Sequence, residues 1–199
     1  MYQAQRDVIQ RPQTPELAMN LLVEGNQRFV AQKLISFQED LDILKAHSEE
    51  HQEPFAAILS CADSRVPVEL AFDQSIGHLF VVRVAGNVAT PDTIASLEYG
   101  AAVLGLKAIL VLGHTNCGAV KATIAGKPVP GQISTLYQYI HPATAGANGD
   151  LTSATRQNAK LQASILRETS PVLSDLVKQK KLAVAAAIYD VGTGKVTMF

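Results

Sequence analysis

From residue 55 onward the chain is built of short, continuous apolar runs, 55–60, 79–85, 107–112 and 182–189, each stopped by a polar residue or glycine. Runs of this length without alternation predict strands buried on both faces, as in parallel sheets. Between them, apolar residues at helical spacing predict helices at 67–73, 93–104 and 118–125, then at 157–168 and 172–180. The order predicts an α/β fold, a mainly parallel central sheet flanked by helices and joined by right-handed crossovers. A stretch rich in Gly, Pro and Ala, 126–150, surrounds the apolar piece 133–140, which reads as a short helical or irregular arm. Asp190, Gly192 and Gly194 predict a turn, and the alternating residues 195–199 predict an edge strand that closes a hairpin.

Upstream, Thr14 is a candidate N-cap followed by Pro15 and Glu16, so a helix should start there, with Leu17, Leu21, Leu22 and Phe29 on one apolar face. A second short helix is expected at 39–47, and Glu49, Glu50 and Glu53 mark a solvated stretch. Residues 1–50 therefore read as an N-terminal helical arm and 51–199 as the α/β domain that carries the chemistry, within one structural domain.

Composition narrows the function classes. Hydrophobic residues make up 47% and charged residues 18% of the 199, which excludes a disordered chain. The formal net charge of -1 offers no basic field for nucleic acid or anionic lipid, and the sparse charge favours self-association. No apolar run is long enough to span a membrane. The start of the chain is polar, without the apolar segment of a signal peptide, so a cytoplasmic location is expected, or a periplasmic one if a targeting segment was removed. Two cysteines are too few for a disulfide scaffold, which leaves them a chemical role.

That role follows from placement. Cys61, in Ser60-Cys61-Ala62-Asp63-Ser64-Arg65, and His114 and Cys117, in Gly113-His114-Thr115-Asn116-Cys117-Gly118, each follow a predicted parallel strand. Ligand sites of open α/β sheets collect at the C-terminal strand ends, so these side chains should meet in one crevice. A Cys₂His set suits zinc better than the oxygen-seeking magnesium or calcium. Three ligands leave a position for water, whose pKa zinc can lower to about 7, although two thiolates weaken that effect. Asp63 could then orient the nucleophile, held by a bidentate fork from Arg65. Alternatives for the pair are a buried structural ion pair or an Asp that caps the helix after Pro67.

Cys61-Ala62-Asp63-Ser64-Arg65 together with His114-Thr115-Asn116-Cys117-Gly118 resembles the zinc and dyad signature of the β-class carbonic anhydrases. The similarity extends through Gly25-Asn26-Gln27-Arg28-Phe29, Phe80-Val81-Val82-Arg83, Gly86-Asn87, Tyr189-Asp190 and Gly194-Lys195-Val196. The resemblance implies reversible hydration of carbon dioxide to bicarbonate by zinc-bound hydroxide, with one zinc per chain. It makes Cys61, His114 and Cys117 the metal ligands and Asp63 with Arg65 the catalytic dyad. Asp63 would join the metal only in a closed state.

The same resemblance implies a homodimer or higher homo-oligomer and a substrate pocket of Gln52, Phe80, Ala85 and Tyr99, with Gln52 supplied by the partner subunit. Ala85 is smaller than the residue common there, and the absence of Trp points away from a bicarbonate-regulated subgroup. His47, His51, His78 and His141 are the candidate proton shuttles. Rival readings are hydrolysis of carbonyl sulfide or carbon disulfide on the same scaffold, a thiol redox protein, and a non-catalytic zinc-binding module.

Overall fold

The computed structural model describes residues 11–35 and 52–199. Its centre is a five-stranded sheet of order β2-β1-β3-β4-β5, formed by β1 (Ala56–Ser60), β2 (Leu79–Arg83), β3 (Ala108–His114), β4 (Ala183–Tyr189) and β5 (Val196–Met198). The first four strands are parallel and β5 returns antiparallel to β4, which makes the expected edge hairpin. Every residue of β1 and β3 is buried, as their unbroken apolar runs require.

The two faces of the sheet are covered by different helices. On one face Ala56, Ile58, Ala108, Leu110 and Leu112 pack with Ala18 and Leu22 of α1 (Pro15–Val30) and with Val68 and Ala71 of α2 (Val68–Ala71). On the other, Ala57, Leu59, Ile109 and Val111 meet Leu97 and Ala101 of α3 (Pro91–Ala102). They also meet Ala159, Ala163 and Leu166 of α6 (Leu151–Thr169) and Leu173 of α7 (Pro171–Lys178). A third cluster lies beyond the strand ends, where Cys61, Cys117, Val88, Val120, Ile140 and Ala154 are buried together. It involves α4 (Gly118–Ala125) and α5 (Tyr137–Thr144).

Thr14 caps α1 by accepting from the Leu17 amide at 3.2 Å. The expected apolar face is only partly used, since Leu22 is fully buried whereas Leu17 is 51% exposed. Gly25 lets α1 touch the turn after α2, where a Cβ would stand 1.7 Å from the Phe72 carbonyl oxygen. Beside it, buried Asn26 donates to the carbonyls of Ala71 (2.9 Å) and Gly194 (2.8 Å) and accepts from the Val196 amide (2.8 Å). One side chain thus joins α1, the α2 turn and the closing hairpin.

Several boundaries differ from expectation. The helix expected at 67–73 is a single turn, because Asp73 takes a positive φ of 47° and turns its buried carboxylate to Arg28. α6 starts at Leu151, well before residue 157, because Asp150 caps it by accepting from the amides of Thr152 and Ser153. α3 runs from Pro91, capped by Thr90, and stops short of Leu104. The arm at 133–140 is a 3-10 segment, Gly131–Leu136, leading into α5. The helix expected at 39–47 lies outside the described residues, and with it His47 and His51.

Replacing Asn26 by Ala should lower stability by roughly 2–4 kcal/mol, since two carbonyls and an amide lose their partner in a buried place. The midpoint of urea unfolding measures this; an unchanged midpoint would show that the three contacts do not tie α1 to the hairpin.

Candidate metal centre

The strand order places the site. From β1 the chain goes to β2 on one side, whereas β3 and β4 lie on the other, so a crevice opens between the C-terminal ends of β1 and β3. Ser60 pairs with Leu112 across these strands, Cys61 is the next residue after β1, and His114 is the last of β3. Asn116 then adopts a positive φ of 58°, a conformation Asn tolerates, and this brings Cys117 back to the N-cap of α4.

The ligand atoms of Cys61, His114 and Cys117 all lie within 4.8 Å of one another, and all three residues are buried. No other such cluster of His, Cys, Asp or Glu occurs among the described residues. Both cysteines are free thiols. His114 Nδ1 donates to the Thr115 carbonyl at 3.0 Å, and this fixes the tautomer in which Nε2 presents a lone pair. That Nε2 is buried without a hydrogen-bond partner, a costly state for an imidazole nitrogen unless something else engages it. Two sulfurs and a free imidazole nitrogen in this arrangement fit a soft or borderline divalent ion.

The two thiols are close enough for each to shift the acidity of the other. Cys61 is made more acidic, first by the hydrogen bond with Cys117, against the opposing effect of burial, then by His114 and the backbone amides of Gly86 and Asp63. Cys117 is pushed up by the same hydrogen bond, by burial and by the charge on Cys61. The Gly86 amide reaches Cys61 Sγ at 3.3 Å. A cation in the crevice would favour the thiolate form of both.

Asp63 stands at the rim. Its Oδ1 accepts from the Arg65 amide (2.9 Å) and Nε (3.0 Å), and its Oδ2 from Arg65 Nη2 (2.8 Å). Oδ2 also lies 3.8 Å from His114 Nε2, so the carboxylate borders the place where the three ligand atoms converge. The pairing excludes both alternatives raised for these residues. Arg65 is 53% exposed, so the pair is not buried, and α2 has no side-chain cap. The Arg65 hydrogen bonds hold the Asp63 carboxyl well below the usual carboxylate range.

Sequence reasoning gave Arg83 no separate role, yet its Nε donates to the Cys61 carbonyl at 3.0 Å and its Nη2 to the Asp63 carbonyl at 2.6 Å. It clamps the loop that carries both residues. In the sequence Arg83 stands out only as an arginine ending an otherwise apolar strand, within the stretch Phe80-Val81-Val82-Arg83 that shares in the resemblance.

The predicted pocket residues divide. Ala85 begins the 3-10 turn Ala85–Asn87, beside the Gly86 amide that touches Cys61. Phe80 pairs with Ala57, four residues before Cys61 and hence about 13 Å down the sheet. Gln52 is exposed ahead of β1, at the opposite end of the strand, and Tyr99 projects from α3, 48% exposed. One chain does not bring these three to the cysteines. Of the described shuttle candidates, His78 precedes β2 at the far end of the sheet, with Nδ1 3.3 Å from Gln74 Oε1, and His141 lies exposed on α5.

A protein-family model described as carbonic anhydrase matches residues 56–196. Carbonic anhydrase 2 of Mycobacterium tuberculosis is 33% identical over 192 residues, covering 92% of each chain. Carbonic anhydrase of Pseudomonas aeruginosa is 32% identical over 161 residues, with 73% of each chain covered. Among solved structures, the β-carbonic anhydrase CcaA superposes with a TM-score of 0.72 at 25% identity, covering 91% of this chain and 87% of that one. A structure from a study of two tetrameric β-carbonic anhydrases of Sordaria macrospora superposes at 0.71, with 21% identity and coverage of 92% and 94%, and shares the fold.

Because pairing lowers the Asp63 pKa, its charge should persist as pH falls through the ordinary carboxylate range, and removing Arg65 should bring the titration back up to about 4. In Arg65→Leu the Asp63 carboxyl carbon should titrate between about pH 3 and 5 by NMR, whereas in the parent it should keep its ionised shift there. A variant carboxyl as acidic as the parent's would show that Arg65 is not the cause.

Proposed function

Since the chain belongs to the β-class carbonic anhydrase family, we propose that Cys61, His114 and Cys117 hold one zinc ion and that Asp63, fixed by Arg65, orients water for the reversible hydration of carbon dioxide to bicarbonate. The observation that carries this reading is the buried, unpartnered His114 Nε2 facing two buried thiols, with the Arg65-bound carboxylate 3.8 Å away. When bound, zinc supplies the Lewis acidity that makes water nucleophilic near neutral pH.

The protein's own groups do the rest. The Thr115 carbonyl keeps the proton of His114 on Nδ1, so Nε2 is always the ligating atom. Asp63 is an acceptor only, because Arg65 keeps it ionised; a water molecule beside it must donate a proton to Oδ2 and so directs a lone pair away from the carboxylate, toward the carbon under attack. The fork leaves Asp63 turned to Arg65, which supports the open form of the site over the closed one. The proton released by hydration leaves over the exposed rim at Arg65 and Asn116.

Gln52, Phe80 and Tyr99 complete the pocket from the partner subunit of a homodimer. Support comes from their distance from the centre within one chain and from the apolar side chains left exposed: Leu17, Val23 and Val30 on α1, Tyr99 on α3 and Val103 just after it. Among the described residues no helix is long and apolar enough to cross a membrane.

Stopped-flow hydration assays with zinc analysis test the assignment. Chelation should abolish activity and added zinc should restore it. Cys61→Ser should lose both metal and activity, while Asp63→Asn should keep the metal and lose about 10²-fold in turnover. Full turnover in Asp63→Asn would remove Asp63 from the reaction.

The shared pocket has its own test. Asp63→Asn chains mixed with Gln52→Ala chains should recover activity above either alone, because the hybrid rebuilds one intact site. No recovery in a mixture shown to contain hybrids would place Gln52 with its own chain's zinc.

A further inference from the structure

Two carboxamides lie one helical turn apart on α6 with no solvent exposure, Asn158 and Gln162. Such groups are buried only where their hydrogen bonds are met. Gln162 Nε2 donates to the Tyr139 carbonyl (2.9 Å) and to Asn158 Oδ1 (3.0 Å), and its Oε1 accepts from the Ala89 amide (2.9 Å). Asn158 Nδ2 donates to the Gly86 carbonyl at 2.8 Å. The network fixes its own orientation. Ala89 N–H can only donate and the Tyr139 carbonyl can only accept, so Gln162 has one allowed direction; Asn158 must then turn its oxygen to Gln162 and its nitrogen to Gly86.

Gly86 is the residue whose amide donates to Cys61 Sγ at 3.3 Å. Its φ of 77° and a Cβ position only 2.6 Å from Ile140 Cδ1 restrict this place to glycine, which has the least conformational restraint of its own. Something outside the turn must therefore hold it. We propose that Asn158 and Gln162 are positioning residues of the metal centre, holding the Gly86 amide on the sulfur of Cys61. This rests on the reading of Cys61 as a zinc ligand. An N–H directed at a thiolate withdraws electron density from it, so the sulfur donates less to the metal and the metal stays more acidic. In a site with two thiolates, that counteracts the loss of acidity their charge brings.

The test uses the full chain loaded with Co(II), whose thiolate-to-metal charge-transfer band reports the electron density on sulfur. The parent protein should show the band; its absence would refute the metal site and this proposal with it. Asn158→Ala should shift the band to longer wavelength through the richer sulfur and, because the turn that positions Cys61 is no longer held, weaken Co(II) binding about 10-fold in competition with a chelator. Leu166→Ala, buried on the same helix but packed on the sheet, should lower Tm and leave band and affinity unchanged. If Asn158→Ala does not fold, Gln162→Met, similar in volume and lacking the same network, must meet the same expectation. A parent-like band and affinity in the folded variant, or an equal shift in Leu166→Ala, would overturn the positioning role while leaving the metal site standing.

Discussion

Two parallel strands, β1 and β3, lie side by side at the point where the chain's path through the sheet reverses direction, and the chemistry depends on that adjacency. Each strand delivers a side chain at its C-terminal end, Cys61 just past one and His114 on the last residue of the other. Sheet pairing thus sets the separation of two groups that are far apart in sequence. The Asn116 turn adds Cys117 from the start of α4. Because β1 and β3 are buried along their whole length, they cannot slip without exposing a core on both faces, and the ligand geometry inherits that rigidity.

Around this fixed pair, polar groups are distributed by task. Within the buried cluster, the Gly86 amide meets the sulfur of Cys61 and the Thr115 carbonyl meets His114 Nδ1, while His114 Nε2 is left aimed at the centre. At the rim, Asp63 is satisfied by Arg65 alone and keeps an edge free. Arg83 secures the backbone beneath both Cys61 and Asp63. The division matches the proposed chemistry, which needs a dry, charge-neutralising cradle on one side and a wet, ionised carboxylate on the other.

The strands and the ligand trio were legible because burial on both faces leaves long apolar runs, and the residues that end them, Ser60-Cys61 and Gly113-His114, stand out against that background. Helix boundaries were less so. The start of α6 is set by Asp150, a capping residue sitting in a Gly- and Ala-rich stretch that reads as loop, and the end of α2 by the left-handed turn at Asp73, which serves an ion pair distant in sequence. Nothing in the sequence singles out Asn158 and Gln162 on their helix, and only the fold shows that they face the turn after β2. Gln52, Phe80 and Tyr99 are a different case: their resemblance to pocket residues is visible in sequence, but one folded chain leaves them away from the cysteines.

The proposed ligand set can be read directly from the metal's surroundings. X-ray absorption at the zinc K edge, on protein loaded with one equivalent of zinc, should show two sulfurs at about 2.3 Å with imidazole nitrogen at about 2.0 Å and one further light atom. A first shell made only of nitrogen and oxygen, or of a single sulfur, would contradict a centre built from Cys61, His114 and Cys117.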